Sequence, residues 1–93
     1  MSVAFEWDPA KAKSSLRKHG VGFDEAVTAF SDVLSMTISD PLHSENEDRF
    51  VIIGESLRKR LLVVVHADHG DKIRIISARR ANAHERKAYE EGS

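Results

Sequence analysis

The 93 residues predict an α+β fold: a small, mostly antiparallel sheet with two helices near the N-terminus and one at the C-terminus. Two observations carry that prediction. Apolar residues recur at helical spacing near the two ends of the chain, whereas the middle alternates with a period of two and then runs into short apolar stretches. Asp-Pro, Gly and Asn stand where helices need to start or stop. The expected order is β-α-α-β-β-β-β-α, with no repeat, linker or second domain in residues 1–93.

Val3 to Trp7 reads as a short strand with Val3, Phe5 and Trp7 on one face. Asp8 then accepts free amides and Pro9 needs no donor in a first helical turn. Ala12 and Leu16 keep helical spacing, Arg17-Lys18-His19 suits the negative helix end, and Gly20 stops it. A second helix carries Phe23, Ala26, Val27 and Phe30 on one stripe. Gly22 is its expected N-cap, with Glu25 bonding back to the cap amide.

Leu34, Met36 and Ile38 alternate with Ser35, Thr37 and Ser39, which predicts a half-buried strand. A polar loop over residues 40–46 precedes three strands, expected at Arg49 to Ile53, Leu61 to His66 and Lys72 to Ala78. Gly54 to Lys59 and Asp68 to Asp71 are the expected connections, with Gly70 as a turn residue. The last helix starts near Asn82, with Asn82 and Glu85 as a capping box, and runs to about Glu90.

Phe50 to Ile53 and Leu61 to Val65 are apolar on both faces, as central strands covered on both sides would be. The first two helices can cover one face. The last offers only Ala81, Ala88 and Tyr89 for the other, which leaves either a partner surface or self-coverage by Trp7, Leu57 and the tail.

Composition narrows the function classes. Hydrophobic residues are 41% and charged residues 31%, ordinary for a soluble domain. No signal-like or membrane-spanning run is present, and no cysteine, which excludes thiolate chemistry and fits a cytoplasmic protein. A net charge of −1 argues against broad nucleic-acid binding, which needs a large positive excess. Any nucleic acid must be held at a local positive site.

The segment Ile73 to Arg86 supplies one. An apolar strand delivers Arg79 and Arg80 to a strand-to-helix junction, with Arg74 and Arg86 on either side. Guanidinium is permanently charged and forks onto phosphate oxygens, so Arg74, Arg80 and Arg86 are candidate RNA-binding residues around Arg79. A solvated edge is the plainer alternative. His66 and His69 with Asp68 and Asp71 lack the one-face spacing of a helical metal site and read as a polar hairpin. Neither a nucleophile elbow nor a Gly-rich phosphate loop is present, and no cofactor is expected.

Several blocks resemble the BrnT family in order and spacing across nearly the whole chain. They are Phe5-Glu6-Trp7-Asp8-Pro9-Ala10-Lys11; Lys18-His19-Gly20-Val21-Gly22-Phe23-Asp24-Glu25-Ala26; His43-Ser44 with Glu47 and Arg49; and Ile73 to Arg79 with Glu85-Arg86 and Tyr89. The resemblance implies a RelE-like ribonuclease toxin of a type II toxin–antitoxin module. It further implies neutralisation by a BrnA-like ribbon-helix-helix antitoxin, with operator DNA reached only through that partner. Two departures stand out: Ser15 where the family often has Asn, and Gly22 where it often has Ser.

Metal-independent cleavage would use the 2′-hydroxyl as nucleophile. The protein must then accept its proton, stabilise phosphate charge and protonate the leaving oxygen. Arg79 is the first candidate for phosphate stabilisation, followed by Lys11 and Arg49; Glu85 and His19 are the base and acid candidates. Each has a structural alternative. His19 can bond helix-end carbonyls, Glu85 can serve as a cap, Lys11 can be a solvated lysine, and Arg49 can pair with Glu47. An endoribonuclease toxin and a non-catalytic module that only joins an antitoxin complex are the two surviving function classes.

Overall fold

The computed structural model describes residues 3–40 and 48–92. Residues 41–47, which hold most of the expected polar loop and His43, Ser44 and Glu47 of the family blocks, lie outside the described residues. The elements are β1 (Ala4–Trp7), α1 (Pro9–His19), α2 (Phe23–Thr28) with a 3₁₀ turn at Ala29–Ser31, β2 (Met36–Ser39), β3 (Arg49–Glu55), β4 (Leu61–His69), β5 (Lys72–Arg80) and α3 (Ala83–Glu91). The expected order holds. The five strands form one sheet in the order β1-β5-β4-β3-β2, antiparallel except for the parallel β1–β5 pair.

Local chemistry sets α1 as anticipated. Asp8 Oδ1 accepts from the Ala10 amide at 2.8 Å, Pro9 opens the helix, and Gly20 closes it at φ +70°, its amide donating to Leu16 O. α3 carries the full capping box. Asn82 Oδ1 accepts from the Glu85 amide at 2.8 Å, and Glu85 Oε1 from the Asn82 amide at 2.9 Å.

α1 and α2 cover one sheet face, where Val21, Phe23 and Ala26 pack on Ile52, Leu62, Val64, Ile75 and Ala78. Trp7 meets Phe23 edge-on here, and His66 is buried between Phe30 and Phe50. Ser15 pins α1 to the sheet, its hydroxyl lying 2.9 Å from both Val21 O and Ala78 O. On the opposite face, Ala81 and Tyr89 cover Ile53, Leu61 and Val63. The Tyr89 hydroxyl donates to Asp32 Oδ2 at 2.6 Å and fastens α3 to the turn before β2.

Four expectations need correction. Glu25 does not cap Gly22. It is buried, accepts from Ser56 Oγ at 2.8 Å and Arg60 Nε at 2.9 Å, and so docks the β3–β4 turn onto α2. The half-buried strand at Leu34 to Ser39 shrinks to Met36–Ser39 and is largely exposed, because β2 is an edge strand with Leu34 outside it. β3, β4 and β5 each run two or three residues beyond their expected ends, and Gly54 belongs to β3. Trp7 and Leu57 do not cover the second face: Trp7 packs on the helix side and Leu57 is exposed beside Thr28.

Candidate functional site

Register decides which charged side chains share a face. Along β4, Leu61, Val63, Val65, Ala67 and His69 point away from α1 and α2, by strand alternation. Their partners on β3 are Glu55, Ile53, Val51 and Arg49. On β5 the pairing skips Ile76: Val65 faces Ser77, but His66 faces Ile75. That bulge turns Arg74, Ser77 and Arg79 to one face, although residues five apart in a regular strand point opposite ways. Arg80, opposite Leu62, goes to the other side.

The second face therefore carries Arg49, Ala67 and Arg74 in one row across β3, β4 and β5, with Glu6 of β1 next to Arg74. Two strand spacings separate the arginine Cα atoms, roughly 10 Å. His69 follows Ala67 on the same face. Glu6 Oε2 lies 2.6 Å from His69 Nδ1 and accepts from Arg74 Nε at 3.1 Å, while Arg74 NH2 stands 3.0 Å from that ring nitrogen. His69 holds the Glu6 carboxyl below the usual carboxylate range, against the upward push of burial and with help from Arg74.

β1 pairs only with the first half of β5, so the strand beyond Ile75 presents a free edge to α1. Two adjoining hollows occupy that seam. A cavity of about 370 Å³ is lined by Glu6, Trp7, Asp8, Lys11, Arg74 and Ile75. The next, about 290 Å³, is lined by Lys11, Ser14, Ser15, Lys18, His19, Ile76 and Ser77. Lys11 belongs to both and joins them into one groove.

Arg79 sits apart from this groove, toward α3. Its NH1 donates to Glu85 Oε1 at 2.8 Å and its NH2 to Glu85 Oε2 at 2.7 Å, a two-pronged pair. Arg79 holds the Glu85 carboxyl low, against burial and with help from the Asn82 amide, so Glu85 stays ionised as both cap and arginine clamp.

Among the candidates read from sequence, the fold thus brings Lys11, His19 and Arg74 along one groove and sets Arg49 on the same sheet face as Arg74. It pairs Arg79 with Glu85 two rows away, and leaves Arg80 and Arg86 exposed elsewhere. His19 ends α1, where the Gly20 amide, not the imidazole, serves Leu16 O. His66 and His69 point to opposite faces of β4, so they cannot share a ligand in the described arrangement. Sequence reasoning missed Glu6 and His69 as partners, since 63 residues separate them. The only signal was an acidic residue in a strand otherwise set to pack.

The fold and site define a small α+β protein with three arginines on one sheet face and a lysine-centred groove between α1 and β5. Residues 7–85 match the family described as ribonuclease toxin, BrnT, of type II toxin-antitoxin system, and the chain belongs to that family. It is similar to the 1.1 Å crystal structure of the Brucella abortus ribonuclease toxin BrnT, at 23% identity and a TM-score of 0.64, over 87% of this chain and 99% of that one. At that identity the likeness speaks for the fold. No curated protein matches the chain. No helix among the described residues is long and apolar enough to cross a membrane.

Proposed function

We propose that this protein arrests growth in the cytoplasm by cutting RNA without a metal ion, through attack of a 2′-hydroxyl on its neighbouring phosphate, until a BrnA-like ribbon-helix-helix antitoxin covers the site. One observation carries the reading. Lys11 reaches the free edge of β5 beside Arg74, on a strand whose bulge also turns Arg79 toward the face that holds Arg49. Lys11 and Arg74 border one groove, Arg49 shares the row of Arg74, and Arg79 lies two rows further along the same sheet face. Charge that builds on the phosphate during in-line attack is what such groups stabilise.

Within this reading Lys11, Arg49 and Arg79 stabilise the reacting phosphate. Glu85 orients Arg79, His19 is placed to exchange a proton at the far end of the groove, and Arg74, Arg80 and Arg86 hold flanking nucleotides. The net charge of −1 fits an RNA site confined to one patch and operator contact made through the antitoxin.

Purified protein incubated with RNA in EDTA tests the proposal. Cleavage leaving 2′,3′-cyclic phosphate and 5′-hydroxyl ends supports it, and Lys11→Ala or Arg79→Ala is expected to slow cleavage about 10²–10³-fold, as loss of one oxyanion donor does elsewhere. The clamp on Arg79 favours a second reading, a non-catalytic module that acts only within an antitoxin complex. Intact RNA alongside tight antitoxin binding would establish it.

A further inference from the structure

We infer that His69 is the base that takes the 2′-hydroxyl proton, and that Glu6 positions it. The inference rests on the ribonuclease reading and assigns a role to a pair outside the residues named for it. His69 is the last residue of β4 and more than half exposed, so a substrate can reach it. It lies on the sheet face of Arg49 and Arg74, one alternation beyond Ala67, and Ala67 is the small residue between the two arginines. Glu6 in turn lines the cavity that Lys11 and Arg74 share. The pair therefore joins the groove to the arginine row.

The base role needs the ring's hydrogen on Nδ1. Two groups meet Nδ1, the acceptor Glu6 Oε2 at 2.6 Å and the donor Arg74 NH2 at 3.0 Å; we place the ring hydrogen on Nδ1, toward the nearer carboxylate. Nε2 then keeps its lone pair, 3.4 Å from Arg74 NH2, on a side chain that is 55% exposed. Arg74 bonds the same Glu6 oxygen through Nε at 3.1 Å, which fixes the carboxylate against the ring. Among the described residues, the other charged groups around the ring are Lys72, opposite it on β5, and Arg49 one strand further; Asp68 points to the opposite face and Asp71 lies in the turn.

The step balances simply. Nε2 takes the proton from O2′, the freed oxygen pair forms the O2′–P bond, and the P–O5′ bond breaks. Its electron pair stays on O5′, which takes a proton from water. The imidazolium that forms is held by Glu6 and returns its proton to solvent. Glu6 never touches substrate.

Single-turnover cleavage of a short RNA across pH, by wild type, His69→Gln and Glu6→Gln, tests this. Each variant is checked for wild-type thermal unfolding and for binding of the same oligonucleotide with 2′-O-methyl groups. Wild type should show a rate that rises with pH and levels off. His69→Gln should lose about 10²–10⁴-fold in rate, together with that rise, at unchanged binding. Glu6→Gln should lose less and move the acid limb to lower pH.

Nitrogen-resolved NMR of His69 should place the proton on Nδ1 in wild type, independently of activity. Wild-type rates in His69→Gln, or a proton on Nε2, would overturn the inference while leaving the ribonuclease reading in place. A wild-type chain that cuts no RNA overturns both. If a variant unfolds, His69→Asn and the NMR measurement on wild type decide the matter.

Discussion

At Gly54 a methyl group would come within 2.7 Å of the Ala29 carbonyl oxygen and 3.2 Å of Ser35 Cβ. The backbone of the 3₁₀ turn presses directly on β3 there. Gly54→Ala should therefore destabilise by about 1–3 kcal/mol, the cost of overpacking, read by urea unfolding. Lys59 shows the reverse case. It adopts φ +65° in the β3–β4 turn, a conformation that charges a penalty for any Cβ. Lys59→Gly is expected to raise stability by about 0.5–1 kcal/mol in the same assay. Ser15 ties α1 to Ala78 through its hydroxyl, beside the groove. Ser15→Ala should cost about 1–2 kcal/mol and loosen Lys11 with it.

Besides Ser15, three polar fastenings hold elements together; those at Glu25 and Tyr89 join segments far apart in sequence, while Arg79–Glu85 spans six residues. Glu25 seats the β3–β4 turn through Ser56 and Arg60, and Arg60 NH2 also donates to Gly20 O at 2.9 Å. Glu25→Ala strands that buried set and should cost about 3–5 kcal/mol. The Arg79–Glu85 pair is weaker in stability terms, because the arginine side chain is 42% exposed and water screens it. Its coupling in a double-mutant cycle should stay near 1 kcal/mol or below.

The third fastening is Tyr89 to Asp32. The charged partner, together with burial, pushes the Tyr89 hydroxyl up to about 12. A folded value above the unfolded one means stability that is whole below pH 10 and is lost as pH climbs through about 12. Tyr89→Phe should abolish that alkaline loss in thermal melts and release α3 from the sheet. Both α1 and α3 were legible in the chain because Asp8-Pro9, Gly20 and the Asn82–Glu85 box act within a single turn. Glu25 was not legible. Its partners are 31 and 35 residues away, and a local cap was the only bond its spacing offered.

Over the whole molecule, acid titration acts on several sites at once. Glu25 is held low chiefly by Arg60, against burial. At Asp32 burial pushes upward, but the Glu55 amide, Tyr89 and the Leu34 amide outweigh it. Glu6 and Glu85 are held low as described. Lowered carboxyls contribute stability above their unfolded values near 4 and lose it as pH falls through the folded ones. His66 is also lowered, mainly by burial, so its contribution begins to fade once pH drops below 6.5. Stability should therefore be level near neutrality, slope gently from about pH 6.5 and fall steeply below about 4; His66→Phe should remove the gentle slope only.

By itself the chain determined what short-range physics can determine: the helix limits, the alternation of the strands, the two-sided apolar run of β4, and the clustering of arginine near the end of β5. Tertiary structure alone decided which of these side chains meet. A single unpaired residue, Ile76, turns Arg74 and Arg79 to the same face, and a parallel β1 brings Glu6 beside Arg74 and His69. The physical reason is that side-chain direction in a sheet depends on parity, and parity is reset wherever pairing skips a residue. That choice belongs to the neighbouring strands rather than to the segment that carries the bulge.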